Sequence, residues 1–313
     1  MKPFHRGFKK KPHAQRGVAI VTAMLVTTLA LIVVAGLFLA QQLQVQGIEN
    51  QRLLMQRRWL LHGALDWSRL ILREDAKSSY IDDLGEIWAR PLPPTRMDQF
   101  LPSGTHDPAL SDATLAGEIS DAQSRLDINA LASGGIADPL QVQAFERLLM
   151  SRHIDTGLAT AIAEHVARLQ RQAMNQSAPT LAMERPQDLL VISGIGYEAV
   201  NILRDHIAFL PRRSPLNLNT AKAEVLAASL PDNAAVSAGA IIAARKISPF
   251  KNIEDFRERI GTVSSAVNAS RFGVVSTFFL VNGSLTSRHN NSHLTGLVER
   301  SGTSTRLWWV VES

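Results

Sequence analysis

The sequence has no cysteine among its 313 residues. Neither a disulfide framework nor a thiolate metal site can form, so an exported domain would depend on its own core. Apolar residues make up 45% of the chain, which supports a packed fold and excludes general disorder. About 270 residues follow position 40, enough for one large domain or two modest ones.

Acidic residues are absent from the first 17 positions, which carry six Lys and Arg. Without these six, the 33 basic residues of the chain fall to 27, against 28 Asp and Glu. The chain after position 17 therefore lacks the basic excess that a nucleic-acid footprint requires. The formal charge of +5 indicates membrane topology rather than a polyanionic partner.

Charge of either sign is absent from Val18–Ala40, and the next charged residue is Glu49. These 23 residues span the roughly 30 Å hydrocarbon core of a bilayer if they are helical. Because the basic residues precede this run, we expect a cytoplasmic N-terminus, with everything after Ala40 on the far side.

Three kinds of N-terminal segment fit this pattern. A secretory signal peptide would usually have a shorter apolar core, although Val33–Ala35 is an acceptable cleavage site. A plain single-span anchor is the second. The third is a prepilin-like leader cut after Gly17, which removes the charges and makes Val18 the first residue of the mature chain. Gly17 directly before the apolar run favours the third, but these residues alone leave all three open.

A helical pattern continues beyond the membrane segment. Apolar residues recur at spacings of seven, four, three and four, which places them on one face of a helix: Leu53, Leu60, Ala64, Trp67 and Ile71. We expect one long helix from Val18 to about Glu74, whose outer half has an apolar stripe that needs a partner surface.

The rest of the chain predicts an α+β fold. We expect a loop over 82–99, which contains three prolines, and strands at 115–119 and 125–129. The pattern is helical from 138 to about 259. An antiparallel meander follows, at 272–281, 296–300 and 305–311. This order predicts a pilin-like long helix packed on a small antiparallel sheet, with a large inserted all-α domain.

The corresponding domain boundaries are predicted as follows. A leader occupies 1–17, the transmembrane part of the long helix 18–40, and the periplasmic helix with the first strands 41–137. The inserted all-α domain occupies 138–265, and the last strands 266–313.

The sharpest local motif is Gly194-Ile195-Gly196 after an apolar segment. It matches the loose dinucleotide pattern, but no alternation of strand and helix surrounds it. A helix-hairpin-helix turn fits better, since glycines let the backbone turn tightly and expose N–H groups. A related unit over 215–256 resembles the paired units of DNA-uptake competence proteins, but Leu230–Asp232 stands where its glycines should be.

Phosphate binding by these units would need free basic side chains. The nearby bases are offset by acids, so we favour a packing scaffold: Arg204, Arg212, Arg213, Arg245 and Lys246. The nine histidines are scattered, and His289 and His293 flank a predicted hairpin loop. Asp127 is expected to close a strand or cap a helix. We expect no catalytic residue, cofactor site or metal site.

Three segments together resemble the minor pseudopilin K family of the type II secretion system, also called general secretion pathway protein K. They are the Gly17–Val18 junction, Ser124–Leu131 and Leu216–Ala221. The resemblance implies a minor pseudopilin of the bacterial inner membrane that caps the tip of the periplasmic pseudopilus and supports protein export. It implies processing by a prepilin peptidase, and partners among the I and J types, with the H type as a further candidate.

Two positions follow from this resemblance. Most pilin-like chains carry Glu at the fifth mature position, where K members resemble this chain in lacking it. The resemblance implies that Thr22 suits a tip subunit, and we expect its hydroxyl to bond within its own helix. Family members often bind calcium through an acidic loop, but the matching stretch here, 164–172, has one acid, so no metal is carried over.

A different class of function stays open as an alternative. The chain could be a membrane-anchored helix-hairpin-helix protein of a DNA-uptake type that binds DNA through Gly194 and Gly196. The near-neutral charge after position 17 argues against it, and salt-dependent duplex binding would favour it.

Overall fold

The computed structural model describes residues 15–99, 112–175, 182–230, 237–261, 270–287 and 290–313. The chain divides into two compact units, Met1–Trp59 and Leu60–Ser313. Helix α1 covers Gln15–Ser78 and so contributes to both units. It matches the predicted long helix to within four residues at each end.

The second unit contains a five-stranded antiparallel sheet. Its strands, in their order across the sheet, are β1 (Leu92–Arg96), β2 (Thr114–Asp121), β9 (Phe278–Thr286), β10 (Asn291–Ser301) and β11 (Ser304–Glu312). Three pairs of two-residue strands accompany it: β3 (Leu126–Asp127) with β6 (Ile207–Ala208), β4 (Ala132–Ser133) with β5 (Ile136–Ala137), and β7 (Leu216–Asn217) with β8 (Phe272–Gly273).

The sheet contains a pairing between two strands that are far apart in the sequence. Strands β2 and β9 are neighbours, with Leu115 opposite Leu285 and Ile119 opposite Val281. Alternate side chains of both strands point to one face and pack on the second-unit part of α1. The chain between these strands forms the helical block, so the predicted insertion of helices between strands is present and the fold class is confirmed.

The face that α1 turns to the sheet includes most of the predicted stripe and is wider than it. Leu60, Ala64 and Ile71 of the stripe are half-buried and pack against the core. Leu61, Leu65 and Leu72 are buried more deeply, whereas Trp67 is 53% exposed. The prediction was therefore wrong for Trp67 and missed the fully buried leucines beside the stripe.

Two further local predictions were wrong. The stretch 82–99 is not all loop, because β1 lies within it and pairs with β2. This strand is at the edge of the sheet, where Pro93 and Pro94 are tolerated because no second neighbour needs their missing N–H. The predicted strand at 125–129 is only two residues long, since Ile128–Leu131 forms a 3-10 turn.

The helical block contains α2 (Pro139–Ser151), α3 (Gly157–Asn175), α4 (Tyr197–Leu203), α5 (Ala223–Ser229), α6 (Ala238–Ile247) and α7 (Ile253–Ile260). Further 3-10 turns lie at Ile87–Ala89, Met97–Gln99, Ala122–Ser124 and Pro186–Val191. Asp138 starts α2 by accepting hydrogen bonds from two backbone N–H groups. Phe145, Leu148 and Ile162 are fully buried in the core of the block.

Candidate functional site

The N-terminal half of α1 is an apolar helix with exposed side chains. Its most apolar stretch of 18 residues has a mean hydropathy of 2.7, and none of these residues is buried. By length and composition, α1 is the one helix among the described residues that could cross a membrane. Exposed apolar side chains continue beyond Ala40, at Leu43, Val45, Ile48, Leu54, Met55 and Trp59. This surface suits burial in lipid or against other helices.

The predicted processing site lies at the start of this helix. Residues 1–14 of the predicted leader are outside the described part of the chain. Gly17 is in helical backbone, and Val18 is 65% exposed. Cleavage between the two stays a prediction.

Thr22 makes the hydrogen bonds expected of it. Its hydroxyl lies 3.0 Å from the carbonyl oxygen of Val18 and 3.1 Å from that of Ala19. The side chain therefore places no unsatisfied polar group in an apolar surrounding. Its role in assembly stays a prediction.

Gly194 and Gly196 form a tight turn at the start of α4. Gly194 has a φ of +92°, in the region that favours glycine, whereas Gly196 has a φ of −103°. Ile195 between them is buried in the core of the helical block. A tight turn is therefore present at Gly194, and its assignment as a helix-hairpin-helix turn stays a prediction.

The basic side chains proposed to surround such a turn are bound to the protein itself. Arg212 pairs with Glu299, and Arg213 lies 2.7 Å from Asp138. Arg245 donates to the carbonyl oxygen of Leu218 over 2.7 Å. These three guanidinium groups serve internal contacts, which weakens the phosphate-binding alternative. In the second hairpin, Pro231 and Asp232 lie outside the described residues.

A buried polar joint connects the helical block to the sheet, and its centre is Asp121 at the end of β2. The carboxylate oxygen Oδ2 accepts from the hydroxyls of Thr220 at 2.5 Å and Ser276 at 2.6 Å, and from the Asn217 amide at 3.1 Å. Oδ1 accepts from the backbone N–H of Gln123 at 2.7 Å. Burial raises the pKa of Asp121, and these donors oppose the rise.

A second carboxylate, Asp82, extends this joint toward β10. The Arg300 guanidinium lies 2.5 Å from Asp82 and 2.7 Å from Asp75. Ser276 donates its backbone N–H to Asp82 over 2.7 Å. Burial raises the pKa of Asp82 to about 7, although Arg300 favours the charged form. Burial is also the main cause of the raised pKa of Asp75.

The same region has the one group of carboxylates in the described chain that is close enough to hold a cation: Asp75, Asp82 and Glu86. The guanidinium of Arg300 already bonds to two of these three, and Glu86 accepts from the Trp88 indole N–H at 2.7 Å. Arg300 and the Trp88 indole therefore already bond to all three members of this group.

Residues 217–220 hold the joint from the side of the helical block. Asn219 exchanges two hydrogen bonds with the backbone of Phe250, at 2.8 and 3.0 Å. Asn217 accepts from the N–H of Asn219 and donates to the carbonyl oxygen of Asp82. The role of these side chains in a buried hydrogen-bond network was not predicted from the sequence. Polar residues alternating with leucine were the available signal that these side chains face the interior.

The remaining residues singled out from the sequence do not take part in this joint. The stretch 164–172, matched to a calcium loop by resemblance, lies inside helix α3 and is not a loop. His293 is part of β10 rather than a hairpin loop, and His289 is outside the described residues. Asp127 caps a 3-10 turn by accepting from the N–H of Asn129, as one of its two interpretations predicted.

Comparisons with known proteins agree in pointing to one family. The model of the family described as type II secretion system (T2SS), protein K, matches residues 216–274. The type II secretion system protein K of Pseudomonas aeruginosa is 30% identical over 298 residues, which cover 84% of this chain and 84% of that protein.

A solved structure shares the fold. The crystal structure of the GspK-GspI-GspJ complex from the type 2 secretion system of enterotoxigenic Escherichia coli contains a chain that aligns with a TM-score of 0.66 and 18% identity. The alignment covers 85% of this chain and 98% of that chain. The segment matched by the family model begins at Leu216 and includes Asn217, Asn219 and Thr220 of the buried joint.

Proposed function

Since this chain belongs to the type II secretion system protein K family, we propose that it is a minor pseudopilin that caps the pseudopilus tip and supports protein export across the outer membrane. The observation that carries this proposal is the exposed, uncharged helix from Val18 to Ala40. A lone helix of this kind needs lipid before assembly and other helices after it.

The chain is placed in the bacterial inner membrane with its N-terminus in the cytoplasm. The six basic residues before Val18 support this orientation, because such residues stay on the cytoplasmic side. Prepilin peptidase would cut after Gly17 and leave Val18 as the mature N-terminus. The second unit would then lie in the periplasm.

The partners are sibling minor pseudopilins of the I and J types, with the H type as a further candidate. The related Escherichia coli protein is named as part of a complex with GspI and GspJ. Exposed apolar residues beyond the bilayer-length segment, such as Ile48, Met55 and Trp59, offer a surface for sibling helices. Thr22 would let the helix sit at the tip without an ionised carboxylate.

Assembly rather than catalysis accounts for the described groups. The buried carboxylates are engaged with donors that join two parts of one fold, which is a structural arrangement. The arginines near the hairpin turn bind backbone and carboxylate groups, so we expect no nucleic acid partner.

The test uses the full chain in its native membrane. Mass spectrometry of the protein recovered from membranes should give a chain that begins at Val18, with or without a methyl group. After mild detergent extraction, the I and J pseudopilins should copurify with it. A chain that retains Met1, or one that begins near Gly36, would contradict the proposal.

A further inference from the structure

The two inner segments that carry the family resemblance meet at a small cavity in the helical block. The cavity has a volume of about 30 Å³. Leu126, Asp127 and Ala130 line it from one segment and Leu216 from the other, and Ser229 contributes from the end of α5. About 10–15 Å³ of such volume suffices for one water molecule.

Asp127 has a buried oxygen without a partner at this cavity. The residue is 8% exposed, and its Oδ1 accepts from the N–H groups of Asn129 at 3.0 Å and Leu210 at 3.1 Å. Its Oδ2 is fully buried and has no hydrogen-bond partner within the described residues. Burial raises the pKa of Asp127 to about 7, and Oδ2 needs a hydrogen-bond partner either as a carboxylate oxygen or as an acid O–H.

Ser229 supplies a second orphan group to the same cavity. The residue is 3% exposed, and its hydroxyl has no hydrogen-bond partner in the described part of the chain. Two unsatisfied polar atoms around one cavity would each cost free energy if the cavity were dry. The cavity is polar enough and large enough to avoid that cost.

We propose that this cavity is a binding site for a single ordered water molecule, which forms hydrogen bonds with Asp127 Oδ2 and with Ser229 Oγ. Water fits better than a metal cation because Arg125 and Arg271 also line the cavity. The water completes the hydrogen bonding where β3, β7 and the end of α5 come together. The site goes beyond the assembly role and does not depend on it.

The thermal stability of a Ser229→Ala variant tests whether the water molecule is present. With a water present, Ser229→Ala in the full-length, detergent-solubilised protein should lower Tm by about 2–4 °C, since a buried hydrogen bond is lost. Ser120→Ala is the matched control, because the Ser120 hydroxyl is also buried without a partner but does not line this cavity. It should leave Tm unchanged or slightly raised.

A substitution that fills the cavity should change Tm in opposite directions, depending on whether the cavity holds water or is empty. Ala130→Val adds two methyl groups at the cavity wall. It should lower Tm if water is displaced from Asp127, and raise it if the space is empty. Equal Tm values for Ser229→Ala and Ser120→Ala would overturn the proposal, as would a raised Tm for Ala130→Val.

A crystal structure of the wild-type protein at about 1.5 Å resolution tests for the water directly and does not depend on the folding of Ala130→Val. The expected result is a density peak at hydrogen-bond distance, about 2.7–3.2 Å, from both Asp127 Oδ2 and Ser229 Oγ. An empty cavity, or an ion at about 2.3 Å from these oxygens, would refute it.

Discussion

Thr220 donates its hydroxyl hydrogen bond to Asp121 over 2.5 Å, across 99 positions of sequence. Asp121 ends strand β2 of the sheet, and Thr220 belongs to the helical block. Both side chains are at most 3% exposed. The bond therefore joins the two parts of the second unit through groups that water does not reach.

Loss of this hydroxyl should destabilise the fold. Thr220→Val keeps the shape of the side chain but removes the donor, and leaving one partner of a buried hydrogen bond unsatisfied costs about 1–3 kcal/mol. Denaturant unfolding of the full chain measures the difference. Thr160→Val is the control, because Thr160 is exposed on α3, and it should unfold close to wild type. If the two variants were equally stable, the joint would contribute little.

The stability of the protein should fall as pH rises toward neutrality. Asp82 has an ordinary pKa of 3.8 and a folded-state pKa of about 7. Between these values the folded state holds a proton that the unfolded state has released, so the contribution of Asp82 to stability is fully present below pH 4 and is lost as pH rises through 7. Its contribution is up to about 1.36 kcal/mol for each pH unit.

Asp82→Asn isolates this effect from other titrations. His206 acts in the opposite direction, because burial lowers its pKa and its contribution is lost as pH falls. The free energy of unfolding should therefore be compared between wild type and Asp82→Asn from pH 5 to 8. The variant should show a weaker decline with rising pH, and an unchanged pH dependence would count against a proton on Asp82.

The two glycines of the hairpin turn should respond differently to alanine. Gly194 has a φ of +92°, and an added Cβ would lie 3.2 Å from the Leu158 side chain, so Gly194→Ala should cost about 1–2 kcal/mol. Gly196 has a negative φ and open space around it, so the cost of Gly196→Ala should be smaller and limited to the poorer N-cap preference of alanine, about 0.5–1 kcal/mol. Denaturant midpoints compare the two, and the reverse order would refute the assigned backbone conformations.

Processing should require glycine before the apolar helix. Gly17→Leu places a bulky side chain at the predicted cleavage position, so the leader should remain attached and secretion should fail. Gly36→Leu is the control, since it changes another glycine of the same helix that has open space around it. Mass spectrometry of the N-terminus reports cleavage, and normal processing of Gly17→Leu would contradict the prediction.

The sequence was sufficient for the long helix, the α+β class and the family, because these depend on long runs and on the order of segments. It was only partly sufficient for the buried face of α1. Leu60 was predicted and packs half-buried against the core, but only packing against the sheet decides that Leu61 is the more deeply buried of the two. The edge strand β1 was missed because Pro93 and Pro94 indicate a loop, although an edge position tolerates them.

The buried joint could not be predicted from the sequence for a different reason. Asp121, Asn217 and Ser276 are far apart in the chain, and each alone resembles an ordinary turn or cap residue. Their relation appears only when β2 and β9 pair, which brings the segments before and after the helical block together. The sequence pattern around each of these residues does not indicate which distant segment the residue will contact.

The pairing of β2 with β9 also sets the order in which the fold can form as the chain is synthesised. Strand β2 ends at Asp121, but its central neighbour begins only at Phe278. Most of the chain must therefore be made before the sheet can form, and contacts over such separations form slowly. Until Phe278 and the residues after it arrive, the side of β2 that pairs with β9 is an open strand edge. The unfinished chain is thus most exposed to aggregation and proteolysis during this interval.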